Sequence, residues 1–552
     1  MLPQVKPIVL KRPGGPPWRR LSLVTVAVFG AACSNGASTA GSGGRGGVGS
    51  GGAATGGVGT PGSGGAAAGG TTGTGGSGGD GGNAGMPSGS GGLNSGGGAM
   101  GGAGRGGNPG SGGTAGRGAG GAGGAIVTTG GCSDAVLRTG PPAGKELFRT
   151  EPVDTRFPFS QHWVGVFSDG TAYEANSYIS MTSLSDVDHD GDLDFASGQR
   201  HDVGGGMVWW EYCAPDHWVR HKIGTGHTSA AGGNAADVDG DGWVDLLAGN
   251  SWYRNPGNPR AAATWQRFTI GAPGAEELIV GDVDGNPKPD VLYVWRSIQP
   301  QLWTPRTDPT MTWATIDLTT DGTKRQQQGG AIGDLDGDGD NDIVVGYQWW
   351  YRNVNGDGSM WQAVPLLASG FDNEPLTYLG DFDGDGDVDV AMCTHFGASE
   401  GAARVAWAEN ADGKGGLWTM HPIATGKSFT HTIVAADFDN DGDQDIYLGQ
   451  NVGAQWIYEN SDGHGMFVEH RIAMDSRGHE ARVGDVDCDG DLDIVGKPWG
   501  QQNEGGEQAR PPRDHIYLRN LVVDRGGPAR RDDQRGPHEL LSAIKLRTCA
   551  TP

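Results

Sequence analysis

Seven acidic turns at near-constant spacing, each running straight into a short β-branched stretch and each followed by an aromatic segment, predict an all-β fold. The turns begin at Asp186, Asp237, Asp282, Asp334, Asp381, Asp437 and Asp485, at intervals of 45 to 56 residues, the length of one four-stranded blade. The architecture that follows is a seven-bladed β-propeller over residues 145–523, preceded by a disordered Gly-rich linker.

In chain order, residues 1–33 read as an export signal. Lys6, Lys11, Arg12, Arg19 and Arg20 precede a short apolar core from Leu21 to Ala32, too short to span a membrane. Small residues in front of Cys33 resemble a bacterial lipobox, with Gly30 where Leu is usual, so Cys33 is the expected lipidation site. The expected address is the cell envelope, at the outer membrane or cell surface, or else full secretion. Residues 34–131 are nearly all Gly, Ser, Ala and Thr and cannot bury enough apolar surface to offset the entropy of ordering. A Gly-rich coil of that length spans roughly 50 to 60 Å, enough to hold a domain off a membrane surface.

The turns have the chemistry of calcium loops. A hard divalent cation needs six or more oxygens, and side chains at alternate positions of a tight loop can all turn inward. In the first turn Asp186, Asp188 and Asp190 fill positions one, three and five, Gly191 permits the sharp turn, Asp192 offers its backbone carbonyl and Asp194 closes the cage at position nine. The same set recurs in Asp334, Asp336, Asp338, Asp340 and Asp342; in Asp381, Asp383, Asp385, Asp387 and Asp389; in Asp437, Asp439, Asp441, Asp443 and Asp445; and in Asp485, Asp487, Asp489, Asp491 and Asp493. The second turn keeps Asp237, Asp239, Asp241 and Asp245, with Trp243 at the carbonyl position. The third keeps Asp282, Asp284 and Asp290 but has Asn286, Pro287 and Lys288 between them, so weak or absent binding is expected there. About six or seven Ca²⁺ are expected in all. The competing EF-hand would need a Glu at position twelve; the residues there are Ser197, Ala248, Tyr293, Val345, Met392, Leu448 and Gly496.

After each turn and its apolar strand comes an aromatic strand, as in Gln348-Trp-Trp-Tyr-Arg-Asn and Gln455-Trp-Ile-Tyr-Glu-Asn, whose trailing Asn reads as a turn residue. A fourth strand opens with Trp218, Trp265, Trp313, Trp361, Trp418 or Phe467. Large flat side chains suit the wedges between radial sheets. The doubled pairs Trp209, Trp210 and Trp349, Trp350 are the best candidates for sugar stacking, because alternation sends one member of each to the opposite face.

Loops of the form Asp-x-Asp-x-Asp-Gly-x-x-Asp beside strands such as Ile343-Val-Val-Gly resemble the FG-GAP or VCBS repeats of integrin α-subunit propellers and bacterial surface proteins. The resemblance implies a seven-bladed propeller with metal loops between the first and second strands of each blade. It also implies a ligand-binding platform, or a module of secreted enzymes such as rhamnogalacturonan and ulvan lyases and aldos-2-ulose dehydratase.

The formal net charge of −25 is concentrated in the turns, which hold 32 of the 65 acidic residues. Calcium should therefore be linked to stability, and a nucleic-acid partner is excluded on charge. Of six cysteines, Cys393 and Cys488 read as buried thiols, while one pair among Cys132, Cys213 and Cys549 can form a disulfide in an exported protein. The tail 524–552 is polar until His538 and is read as a candidate closing strand or short helix.

A catalytic reading rests on the strand before each turn, which presents Glu276, Gln328, His431 or His479 to the channel, with Glu374 and Glu480 adjacent. Arg296, His395 and Lys497 follow the turns at corresponding depths. Such a set could abstract a proton beside a sugar carboxylate, or hold a transition metal through His431, His479 and a carboxylate. Two functions are therefore expected as alternatives: a calcium-stabilised binding module at the cell surface or secreted, recognising polysaccharide or another extracellular macromolecule such as a protein, and tethered to the membrane through its lipid anchor; or a secreted carbohydrate lyase or dehydratase. The residues alone leave catalysis open.

Overall fold

A computed structural model describes residues 132, 152–166, 179–199, 205–227, 232–271, 277–286, 288–294, 299–318, 328–371, 375–395, 404–451, 453–474, 477–498 and 514–529. All lie in the second of two compact units, Thr114–Pro552. The signal segment, Cys33, the whole linker and the tail beyond residue 529 lie outside the described residues, as do Glu276, Pro287, Arg296 and Glu374.

The described chain forms seven four-stranded antiparallel sheets, with no α-helix among the described residues. First strands are Ile179–Ser185, Gly233–Ala236, Glu277–Gly281, Gly330–Gly333, Pro375–Gly380, Thr430–Ala436 and His479–Gly484, in blades 1 to 7. Each first strand touches the first strand of the next blade, and that of blade 7 touches that of blade 1, so these strands line the channel and the ring is closed. In blade 7 the outermost strand is Ser160–Val166, paired antiparallel with Asp514–Arg519. The ring is thus shut by the chain's N-terminal side, and the place expected for the tail is taken.

The core is divided among the seven blade interfaces. One apolar cluster fills each wedge, such as Met181, Trp209, Leu246 and Tyr253 between blades 1 and 2, or Val344, Trp350, Val390 and Met392 between blades 4 and 5. A blade therefore has no solvent face. Trp209 and Trp210 do point to opposite faces, but Trp209 enters the wedge toward blade 2 and Trp210 that toward blade 7, and both are sealed. Trp350 is likewise buried, while half-buried Trp349 packs in the wedge toward blade 3. The expected sugar-stacking exceptions are core residues, because alternation along a strand buried on both sides exposes neither parity.

Candidate functional site

Strand topology puts two kinds of chemistry at opposite ends of the channel. Connections between first and second strands carry the acidic turns at one end; His431 and His479, which open first strands, stand at the other.

Each turn is built on its position-nine Asp. Asp389 is buried; its Oδ2 accepts from Phe382 N at 3.0 Å and its Oδ1 from Asn410 N at 2.8 Å. Asp194, Asp245, Asp342, Asp445 and Asp493 repeat the pattern. Each of these oxygens keeps a second lone pair, so the residue can fix the turn and still face a cation. Asp290 departs: its Oδ1 is buried without a donor, because Pro305 stands where the other blades supply an N–H. Position six takes φ of +90° to +109° at Gly191, Gly242, Gly339, Gly386, Gly442 and Gly490, which only Gly accommodates cheaply. Position four is also left-handed, even where it is His189, Asn440 or Cys488.

The trailing Asn does more than turn the chain. Asn410 Nδ2 donates to Leu335 O of the preceding blade's turn at 2.8 Å, and Asn255, Asn353, Asn460 and Asn520 make the same bond to Val187, Val283, Phe382 and Phe438. In these five blades one side chain thereby locks the turn to that of the preceding blade.

The donor set fits a divalent cation. Asp186 is 4 % exposed with neither carboxylate oxygen meeting a well-aligned donor. Ligand atoms of Asp186, Asp188 and Asp194 lie within 4.8 Å of one another, as do those of Asp237, Asp239 and Asp241. Burial pushes Asp245 and Asp389 up to about 8, and burial followed by Asp190 pushes Asp188 up to about 7. Carboxylates crowded in this way ionise together only when a positive charge joins them. Lys288 of the third turn points away, donating to Arg306 O and Thr307 O at 2.9 Å, and that turn offers the poorest donor set. What a bound calcium ion would supply is charge neutralisation; turn geometry comes from the chain itself.

At the other end, β-bulges re-aim the channel residues. Register slips between Thr430 and Thr432 and between His479 and Arg482 turn His431 onto His479, with ring centroids 3.6 Å apart and planes 24° from parallel. His395 meets His431 edge-on at 4.3 Å. Two glycines permit this approach: a Cβ on Gly449 would lie 2.2 Å from Gly478 O. Thr432 then ties the blades, donating to Gly478 O at 2.8 Å and accepting from Ala481 N at 2.9 Å. Lys497 Nζ lies 2.7 Å from His479 Nδ1 and 3.5 Å from Glu480 Oε2. With the ammonium donating, Nδ1 is the acceptor. Glu480 is held at φ +46° while its carbonyl accepts from Thr182 of blade 1 at 2.7 Å. His515, buried and 3.0 Å from Ser197 Oγ, is pushed down to about 3 by burial and then by the charge of Lys497.

Of the expected catalytic set, His395, His431, His479 and Lys497 therefore come together, whereas Glu276 and Arg296 lie outside the described residues. The cluster is not an open funnel lining: Lys497 and His479 have no exposed surface, and His395 and His431 are 1 % and 4 % exposed. Ligand atoms of His431, His479 and Glu480 lie within 4.8 Å of one another, so the residues expected for a transition metal do come together. Sequence reading missed His515, whose only signal was a polar residue opening an apolar strand. Among the cysteines, Cys132 and Cys213 form a disulfide with Cα atoms 5.6 Å apart, and Cys393 is a buried free thiol as expected. Cys488 is disulfide-bonded and not a buried thiol, since its exposed position in the turn leaves it open to a partner.

Fold and turns together define a repeat β-propeller built on acidic loops. The FG-GAP-like repeat family matches over residues 334–392, 381–448 and 437–496, each match running from the first Asp of one turn into the second strand of the next blade. The chain is an FG-GAP repeat β-propeller protein. No curated protein matches it. Among solved structures it is similar to BBS1N in complex with ARL6DN (13 % identity, 65 % of this chain and 96 % of that one, TM-score 0.38). It is also similar to the Bacillus licheniformis rhamnogalacturonan lyase PL11 (13 %, 67 % and 74 %, TM-score 0.37) and Saccharomyces cerevisiae Sqt1 (10 %, 68 % and 99 %, TM-score 0.39). These likenesses concern the fold alone.

Proposed function

We propose that this protein is a calcium-stabilised binding module, exported and tethered by a lipid on Cys33, that recognises polysaccharide or another extracellular macromolecule with the end of the propeller opposite the acidic turns. The observation that carries binding over catalysis is the sealing of His479 and Lys497, both without exposed surface and 2.7 Å from each other. A general base must come within about 3 Å of the proton it removes, and these groups are spent on one another. The disulfides support export, because such bonds persist in oxidising compartments. Lyase or dehydratase activity remains the second reading on one observation: Glu480, a non-Gly residue held at positive φ beside His479, is the kind of strain that gathers at reactive sites.

Arrayed glycans and extracellular proteins, probed with and without chelator, test the first reading. Retained binding of a ligand by His431→Ala and His479→Ala, with no absorbance from unsaturated sugar product on uronate-containing polysaccharides, is the expected result. Product formation abolished by either substitution at unchanged melting temperature would replace binding with catalysis.

A further inference from the structure

Six blades are single runs of chain, but blade 7 is assembled from both ends: Ser160–Val166 supplies its outermost strand, paired with Asp514–Arg519 by non-covalent contacts alone. The register sets Ser160 opposite Arg519, so the chain enters and leaves this ladder at the same end. In an antiparallel pair the hydrogen bonds run across the strands, and tension between those two ends therefore loads them one at a time. Left to itself, the closure would unzip.

Disulfides stand just outside the ladder. On the entering side Cys132 is bonded to Cys213, in the third strand of blade 1, Gly205–Ala214, so that Ser160–Val166 lies within the covalent loop 132–213. Cys132 N also donates to Glu211 Oε1 at 3.0 Å. A pull arriving along the chain before Cys132 is thus borne by blade 1 and does not reach Ser160. On the leaving side stands Cys488, which is disulfide-bonded and lies 3.1 Å from Gly191 O in the turn of blade 1. Because Cys132 and Cys213 pair with each other and Cys393 is a free thiol, its partner among the six cysteines is Cys33 or Cys549. The path of the chain favours Cys549. Val523 N donates to Asp491 Oδ2 at 3.0 Å, and Asn440 Nδ2 donates to Gly490 O at 3.0 Å and to Pro528 O at 2.8 Å, so after the ladder the chain returns to the turn that carries Cys488. Cys549 follows twenty-one residues after Pro528. Cys33, by contrast, is the residue proposed above to carry the lipid, and a thioether sulfur cannot enter a disulfide.

We infer that Cys488 pairs with Cys549 and that the two disulfides are end clamps for the ring. Each closing strand then sits inside a covalent loop, Ser160–Val166 within 132–213 and Asp514–Arg519 within 488–549, so load on either chain end passes into blade 1 or blade 7 without touching the ladder. A module whose ligand is held against its own tether takes force at this place. The choice of Cys549 rests on the lipid-anchor reading above; the clamp at Cys132 is independent of it.

Peptide mapping of the unreduced full chain tests the pairing: a cross-linked Cys488–Cys549 peptide is expected, and a Cys33–Cys488 peptide or a free Cys488 overturns it. An unlipidated Cys33 beside an intact Cys488–Cys549 bond would end the anchor reading and leave the clamps standing. Optical-trap pulling between the two chain ends tests the load path. The oxidised chain should not lengthen before whole blades yield, whereas Cys132→Ser combined with Cys213→Ser should add an early low-force step of roughly 60 Å, the reach of residues 160–178 once Ser160–Val166 peels away. If that double variant does not fold, the unsubstituted chain pulled before and after reductant makes the same comparison. Absence of the early step once the bond is cut, by either route, would sink the proposal.

Discussion

The two ends of this propeller are built on opposite plans. At one end a nine-residue turn is written seven times, with the same backbone bonds to position nine in nearly every blade and the same Asn lock to the next. At the other, blades 5 to 7 bring His395, His431, His479, Lys497 and His515 together, with nothing equivalent in blades 2 to 4 among the described residues. Repetition serves the ring, since every wedge must be closed in the same way.

If the acidic end is scaffold, disturbing it should cost stability first. Chelation should have the largest effect, lowering the melting temperature by roughly 10 °C at saturating calcium to begin with, as read by calorimetry. An identical melt with and without EDTA would break the comparison at its root. Next, Asp389→Ala should destabilise by about 3–5 kcal/mol in urea unfolding, because Phe382 N and Asn410 N lose their shared acceptor inside the protein.

The channel end should reveal itself through pH. His515 is neutral in the fold, with its pKa depressed to about 3, while the unfolded chain keeps the ordinary value near 6.5. Its contribution is therefore present above about pH 6.5 and is lost as pH falls toward 3, up to about 4 kcal/mol. His515→Gln should flatten that part of the stability profile in calcium-replete protein; an unaltered profile would assign the acid sensitivity elsewhere. The smallest effect is expected for Asn410→Ala, about 1–3 kcal/mol, since Leu335 O and Gly415 N each lose one partner. An equal loss from Asn410→Asp would show that the amide donor, and not bulk, is what locks blade to blade.

Much of the acidic end was legible in the chain. Positions one, three, five, six and nine are fixed by turn chemistry, and Gly191 or Gly386 announces a left-handed residue by its identity alone. His189, Asn440 and Cys488, which are also left-handed at position four, gave a weaker signal, because Asn and His are only enriched in that region and Cys carries no preference for it. The arginine bridges to the turns were not legible: Arg254 lies near its turn in sequence, but Arg260 reaches Asp188, and Arg156 reaches Asp439, only once blades are side by side. At the channel, candidates such as His431 and His479 could be picked out by their place before each turn, yet their sealing depends on Gly449 and Gly478 approaching from two blades.

The sequence by itself determined the number of blades, the local form of every turn and the parity of every strand, because each follows from the conformational preferences of neighbouring residues. Tertiary structure decided which carboxylates meet an arginine, that both members of the Trp209, Trp210 pair are core, and that the ring closes with Ser160–Val166. Those outcomes depend on distances between residues far apart along the chain, which are set only when seven sheets pack around one axis.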